Sequence, residues 1–215
     1  MIGDASRTDI APRWSGSGWA ILRQGAGALL PGGQLGGSQF GVGVLRRLDR
    51  RGALAASLRV SAPWEGIGRE MALGVDWRPS SRLPVRLLIE QRIALDRGQG
   101  GPAVLAVGGI GPRRLAAGLS LTGYAQAGMV ARDRIEPFAD GAMRMTRDVA
   151  EGLDMGLGLW GGAQRGVARV DIGPMLGAAL PLPGAAMRLS LEWRQRVAGH
   201  AAPGSGPTLS LASDF

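Results

Sequence analysis

The stretch Met187 to Val197 reads MRLSLEWRQRV, and its alternation decides the fold. Met187, Leu189, Leu191, Trp193 and Val197 share one parity, while Arg188, Ser190, Glu192, Arg194 and Arg196 share the other. Only Gln195 interrupts the apolar row. A period of two belongs to a strand with one apolar and one polar face. After a Gly- and Pro-rich break over 199–207 the alternation resumes. Leu209, Leu211 and Phe215 then fall on one parity, and the sequence ends on that phenylalanine.

The same pattern recurs upstream. Strands are predicted over 14–23, 39–48, 53–63, 68–78, 84–95, 115–130, 138–147, 153–163 and 167–180, ahead of the final hairpin. In 39–48, Phe40, Val42 and Val44 point outward; in 14–23, Trp19 and Ile21 share a parity. The apolar run 103–109 is too short and uniform for alternation to assign. Asp49-Arg50-Arg51-Gly52 has the chemistry of a tight hairpin turn. Short connections near Arg50, Ser81, Pro112, Ala150 and Pro183 alternate with a set that includes longer, glycine-rich ones at 25–37, 131–137 and 199–207. About twelve strands result, an even number with both ends of the chain on one side.

A terminal aromatic on an amphipathic strand resembles the C-terminal targeting signal of Gram-negative outer-membrane β-barrels. With its Gly-rich spacers and inward arginines, the chain is similar to uncharacterised, sphingomonad-like barrels of alphaproteobacteria. The resemblance implies an all-β fold: a closed antiparallel transmembrane barrel over 14–215, with 1–13 a flexible periplasmic lead-in. Both termini would be periplasmic. Leu209, Leu211 and Phe215 would form the assembly signal read by barrel-assembly machinery. Outer-membrane lipid and lipopolysaccharide would surround the wall.

Composition sets the bounds. The hydrophobic fraction is 45% and the mean hydropathy +0.07, which does not describe a bundle of membrane helices. The charge-free runs 115–131 and 172–187 fall short of the roughly 18 residues a spanning helix needs, and the longer one at 24–45 is rich in glycine and holds a proline. A barrel strand needs only about 9–11 residues with half its side chains polar. There is no cysteine, so no disulfide framework or thiolate site. All 25 basic residues are arginine, which excludes a P-loop or Schiff-base lysine. The net charge of +8 would suit nucleic acid, but aromatics are 5% and the arginines are dispersed through strands, so no nucleic-acid partner is expected. Met1 to Pro12 lacks the apolar core of a signal peptide.

A soluble sandwich also alternates, so the pattern alone does not require lipid. Two features favour a membrane: the apolar faces offer few of the aromatics that fill soluble cores, and the polar faces carry full charges at mid-strand. The predicted inward set holds Arg59, Arg78, Arg86, Arg92, Arg144, Arg169, Arg188, Arg194 and Arg196. Against these stand Glu70, Asp76, Glu90, Asp140, Asp154, Asp171, Glu192 and Asp214. A near-balanced interior suits a narrow barrel filled by ion pairs. Facing lipid, each mid-bilayer arginine would cost about 2–4 kcal/mol.

No cofactor, metal or catalytic site is expected. His200 is the sole histidine, in a predicted external loop near Ser205, with no carboxylate nearby in sequence; an orienting acid such as Asp140 would have to come from tertiary proximity, which no sequence feature predicts. Arg132 and Arg134 are expected in an external loop, where they would be solvated or meet lipopolysaccharide phosphates. Trp77 and Phe215 are expected at the periplasmic strand ends, in an interfacial girdle. Three functions remain open: a narrow or plugged pore, the translocator or anchor barrel of a longer chain with an unknown partner, and a lipid-acting enzyme at the rim.

Overall fold

Each alternating run becomes a strand, and each break becomes a hairpin connection. The computed structural model describes residues 13–24, 37–182 and 184–215. Its strands are β1 (Trp14–Arg23), β2 (Gln39–Arg47), β3 (Leu54–Pro63), β4 (Glu70–Trp77), β5 (Val85–Ala94) and β6 (Gly101–Arg114). There follow β7 (Leu119–Ala131), β8 (Ile135–Ala150), β9 (Leu153–Gln164), β10 (Val167–Leu182), β11 (Ala185–Gly199) and β12 (Gly206–Asp214). Every strand pairs antiparallel with its sequence neighbours, and β1 pairs with β12, so the twelve-stranded barrel is closed. Closure matters physically because it leaves no strand edge with unpaired N–H and C=O groups. The predicted lead-in before Arg13, most of the Gly-rich loop (25–36) and Pro183 lie outside the described residues.

Turn chemistry explains the first hairpin. Gly52 takes φ +68°, and the Asp49 side chain accepts the Leu54 N–H at 3.0 Å. Arg165-Gly166 connects β9 to β10 with Gly166 at φ +74°. One sequence expectation needs correction beside the unassigned run. That run is the core of β6, which continues through Pro112 to Arg114; the turn expected at Pro112 lies instead at 115–118. The β6–β7 register shifts between Ile110 and Arg113, and a proline fits there because a bulge needs no ladder donor.

Burial is inverted relative to a water-soluble fold. Asp171 and Glu192 are each 1% exposed, whereas Ile89 is 68% exposed and Leu157 52%. The outward rows carry Leu, Ile, Val and Met; the inward rows carry the charges. The outward aromatics sit at the two ends. Trp14, Trp77 and Phe215 lie at the rim bearing the described chain ends, the terminal rim. Phe40 and Trp64, with ring centroids 5.1 Å apart, lie at the opposite rim together with Trp193. Trp19, by contrast, is on the inward row, its ring against Gly41 of β2.

Candidate functional site

The interior is built row by row from strand register. On one wall, Arg59, Ala72 and Arg92 are cross-strand neighbours on β3, β4 and β5. Glu70 lies one inward step to one side of that row, and Glu90 one step to the other. Ala72 is small and 2% exposed, so both guanidinium groups close over it onto the same acids. Glu90 accepts from Arg59 at 2.7 Å and from Arg92 at 2.8 Å. Glu70 lies 3.7 Å from Arg92 and 3.5 Å from Arg132, which also pairs with Glu136. The Arg92 guanidinium stacks 4.7 Å over the Phe138 ring. Three arginines and three glutamates therefore form one continuous network.

The facing wall holds a second. Asp171 accepts from Arg23 at 3.0 Å and twice from Arg169, each at 2.9 Å. Glu192 accepts two bonds from Arg194, at 2.7 and 2.6 Å, and lies 3.6 Å from Arg144. Arg194 also stacks 4.5 Å over Trp160. The β11–β12 loop folds onto this network. The Ala201 carbonyl accepts from Arg196 at 2.7 Å, that of Pro203 from Arg169 at 2.9 Å, and that of Gly204 from Arg23 at 2.9 Å. Ala201 is buried as a result. Nearer the terminal rim, Asp76 pairs with Arg86 at 2.9 Å, and Asp154 pairs with Arg188 above Gly177, where any side chain would collide with that guanidinium.

These positions correct five expectations. Arg132 points inward onto Glu70 and Glu136, so it is not a free external-loop charge; Arg134 stays exposed. Arg78 follows the last residue of β4 and is exposed at the terminal rim, and Asp214 is exposed there too. Arg196 keeps its inward position but binds a carbonyl rather than an acid. Asp140 likewise forms no direct ion pair among the described residues and accepts from Gln126 at 2.5 Å and Tyr124 at 3.1 Å. With Arg23, Arg132 and Glu136 added, the described interior holds ten arginines against eight carboxylates. Glu136 shares the parity of Asp140, so parity would have placed it; Arg23 shares that of Trp19 and Ile21, an apolar row that alternation alone reads as outward. Arg132 lies beyond the alternating segment and carries no such signal.

His200 is exposed, and its backbone N–H donates to the Ala168 carbonyl. Ser205 Oγ accepts the Arg196 N–H at 3.0 Å. Among the described residues no carboxylate contacts His200, so no Ser–His–Asp geometry is assembled there.

At the opposite rim Asp96 ties two loops together. Its carboxylate accepts the N–H groups of Gly68 at 2.6 Å, Arg69 at 2.8 Å and Gly98 at 3.1 Å. The backbone donors of Arg69 and Gly68 hold this carboxyl below its ordinary value. A depressed folded-state pKa contributes order that is present above the ordinary carboxylate range and lost as pH falls through the depressed value. Hydrogen exchange should therefore show the Gly68 and Arg69 amides protected at pH 7 and released only as pH falls below the ordinary carboxylate range. The Asp96→Ala variant should expose them at both pH values. Protection unchanged by that substitution would refute the tie.

No known family profile matches the sequence, and no curated protein matches it. Solved structures do resemble the fold. The NanC porin is 9% identical, with 93% of this chain and 98% of that chain covered and a TM-score of 0.46. An outer-membrane channel from Pseudomonas putida is 10% identical over 98% and 99% of the two chains, with a TM-score of 0.46. The β-domain of the Bordetella autotransporter BrkA is 15% identical over 94% and 97%, with a TM-score of 0.37.

Proposed function

We propose that this chain is an integral outer-membrane barrel with a narrow, charge-paired lumen that passes small solutes slowly or serves as a wall protein. The carrying observation is the inverted burial: an apolar outer surface around an interior of paired arginines and carboxylates. In water, leaving a Leu or Ile side chain exposed forgoes about 1.5–3 kcal/mol, and the outer rows repeat that cost around the whole barrel. In lipid the same rows are at home, and the aromatics at both ends suit the two interfaces. The periplasmic placement of the termini follows the outer-membrane resemblance of the final strand, as does the likeness to alphaproteobacterial barrels.

Two networks on facing walls, plus the loop carbonyls at one mouth, leave long side chains across the path. Planar bilayers should accordingly show conductance well below that of a general porin. Glu90→Arg places a third guanidinium beside Arg59 and Arg92, so it should open the lumen to leak or sharply destabilise the barrel. Large, stable porin-like currents from the wild type, indifferent to that change, would end this reading.

A further inference from the structure

Among the described residues, the outward strand positions carry three charges, and all are arginine: Arg46 on β2, Arg113 on β6 and Arg147 on β8. Register fixes their direction. Arg46 lies opposite Trp14 and Ala56, Arg113 opposite Leu121, and Arg147 opposite Leu119 and Met155, all on the apolar face. All three are exposed, in the last rows before the terminal rim. None has a carboxylate partner among the described residues. The Arg46 guanidinium lies 5.4 Å over the Trp14 ring, at the edge of the apolar band.

The wider rim has the same sign. Its described strand ends and turns hold ten arginines against four carboxylates, a net of +6, while the exposed opposite rim has four arginines against three, a net of +1. The protein's positive charge is thus gathered at one end. A guanidinium on the outer wall there meets lipid on one side and headgroups on the other, and its stem can lie along the apolar surface while its fork reaches a phosphate.

We propose that the terminal rim binds anionic phospholipid headgroups, with Arg46, Arg113 and Arg147 as the phosphate contacts and the surrounding arginines selecting net negative charge. The inference rests on the membrane reading above. Each arginine near a charged membrane surface contributes about 1 kcal/mol, or roughly fivefold in local association.

The test uses the full chain in mixed vesicles, with spin-labelled phosphatidylglycerol or phosphatidylcholine reporting the motionally restricted lipid. Wild type should restrict the glycerol lipid several-fold more than the choline lipid, and salt should weaken the difference. The triple variant Arg46→Gln, Arg113→Gln, Arg147→Gln should lose most of the preference. Arg134→Gln with Arg165→Gln, at the opposite rim, should leave it intact. Equal restriction of both lipids by inserted wild type, or full preference in the triple variant, overturns the proposal. If the triple variant does not insert, the single variants decide, each expected to lower the preference; three unchanged preferences overturn it equally. Wild type that inserts into neither vesicle overturns the membrane reading itself, a separate result from insertion without preference.

Discussion

The Asp171→Ala barrel is expected to be about 3–5 kcal/mol less stable than wild type in urea unfolding from vesicles. Asp171 is the shared partner of Arg23 and Arg169, and the three side chains are 2%, 0% and 3% exposed. Truncation leaves two guanidinium groups facing each other in a closed interior, with loop carbonyls as their remaining partners. The cost is that of stranding charge, not of losing an attraction. Hence adding Arg23→Met to Asp171→Ala should recover part of the loss, which a cycle of single and double variants measures. Asp133→Ala, whose exposed carboxylate accepts only from Gln99 among the described residues, should change stability by no more than about 0.5 kcal/mol. A loss below about 1 kcal/mol at Asp171 would show that water reaches this network and screens it.

The barrel was legible because alternation is a local signal, repeated in nearly every strand. β10 and β11 announce themselves over many residues, and both form where parity puts them. β6 was obscure for a physical reason: its inward row begins Gly101, Ala103, Leu105, so both faces of 103–109 are apolar and no contrast remains to read. Inward direction was legible wherever one row carries the charges, since facing follows from parity; β1, whose inward row holds Trp19 and Ile21, is the exception. Which charges meet was not. Glu90 finds Arg59 and Arg92 because β3, β4 and β5 are in a particular register, and register depends on turn geometry that the sequence does not state. Arg132 reaches Glu70 across several strands from beyond the end of β7, where parity has no meaning. The loop carbonyls that cap Arg169 and Arg23 are backbone groups, invisible to any reading of side chains.

Removing Phe215, or replacing it by Asp, is expected to reduce assembled barrel in membranes several-fold, while Asp214→Ala has a much smaller effect. The structure gives the terminal residue a specific place. Its N–H donates to the Gly16 carbonyl at 2.9 Å, and its carbonyl accepts the Gly16 N–H at 2.6 Å, as the β1–β12 seam closes. Its ring occupies the space above Gly16, where any Cβ would collide with it. Two backbone bonds contribute roughly 1 kcal/mol each, and they join the first and last strands, which no hairpin turn holds together. Asp214 lies on the opposite parity, exposed at the rim, and forms no ion pair among the described residues. Gly16→Leu separates the seam from a signal read by assembly machinery, because it displaces the ring while leaving the terminal residue intact. If the seam dominates, Gly16→Leu and the Phe215 deletion should both slow refolding into vesicles without any accessory protein. If recognition dominates, only the deletion fails, and only in cells. Because the ring has this seat on Gly16, we expect both variants to fail in vesicles. Normal refolding of both would show that Phe215 acts solely as an address.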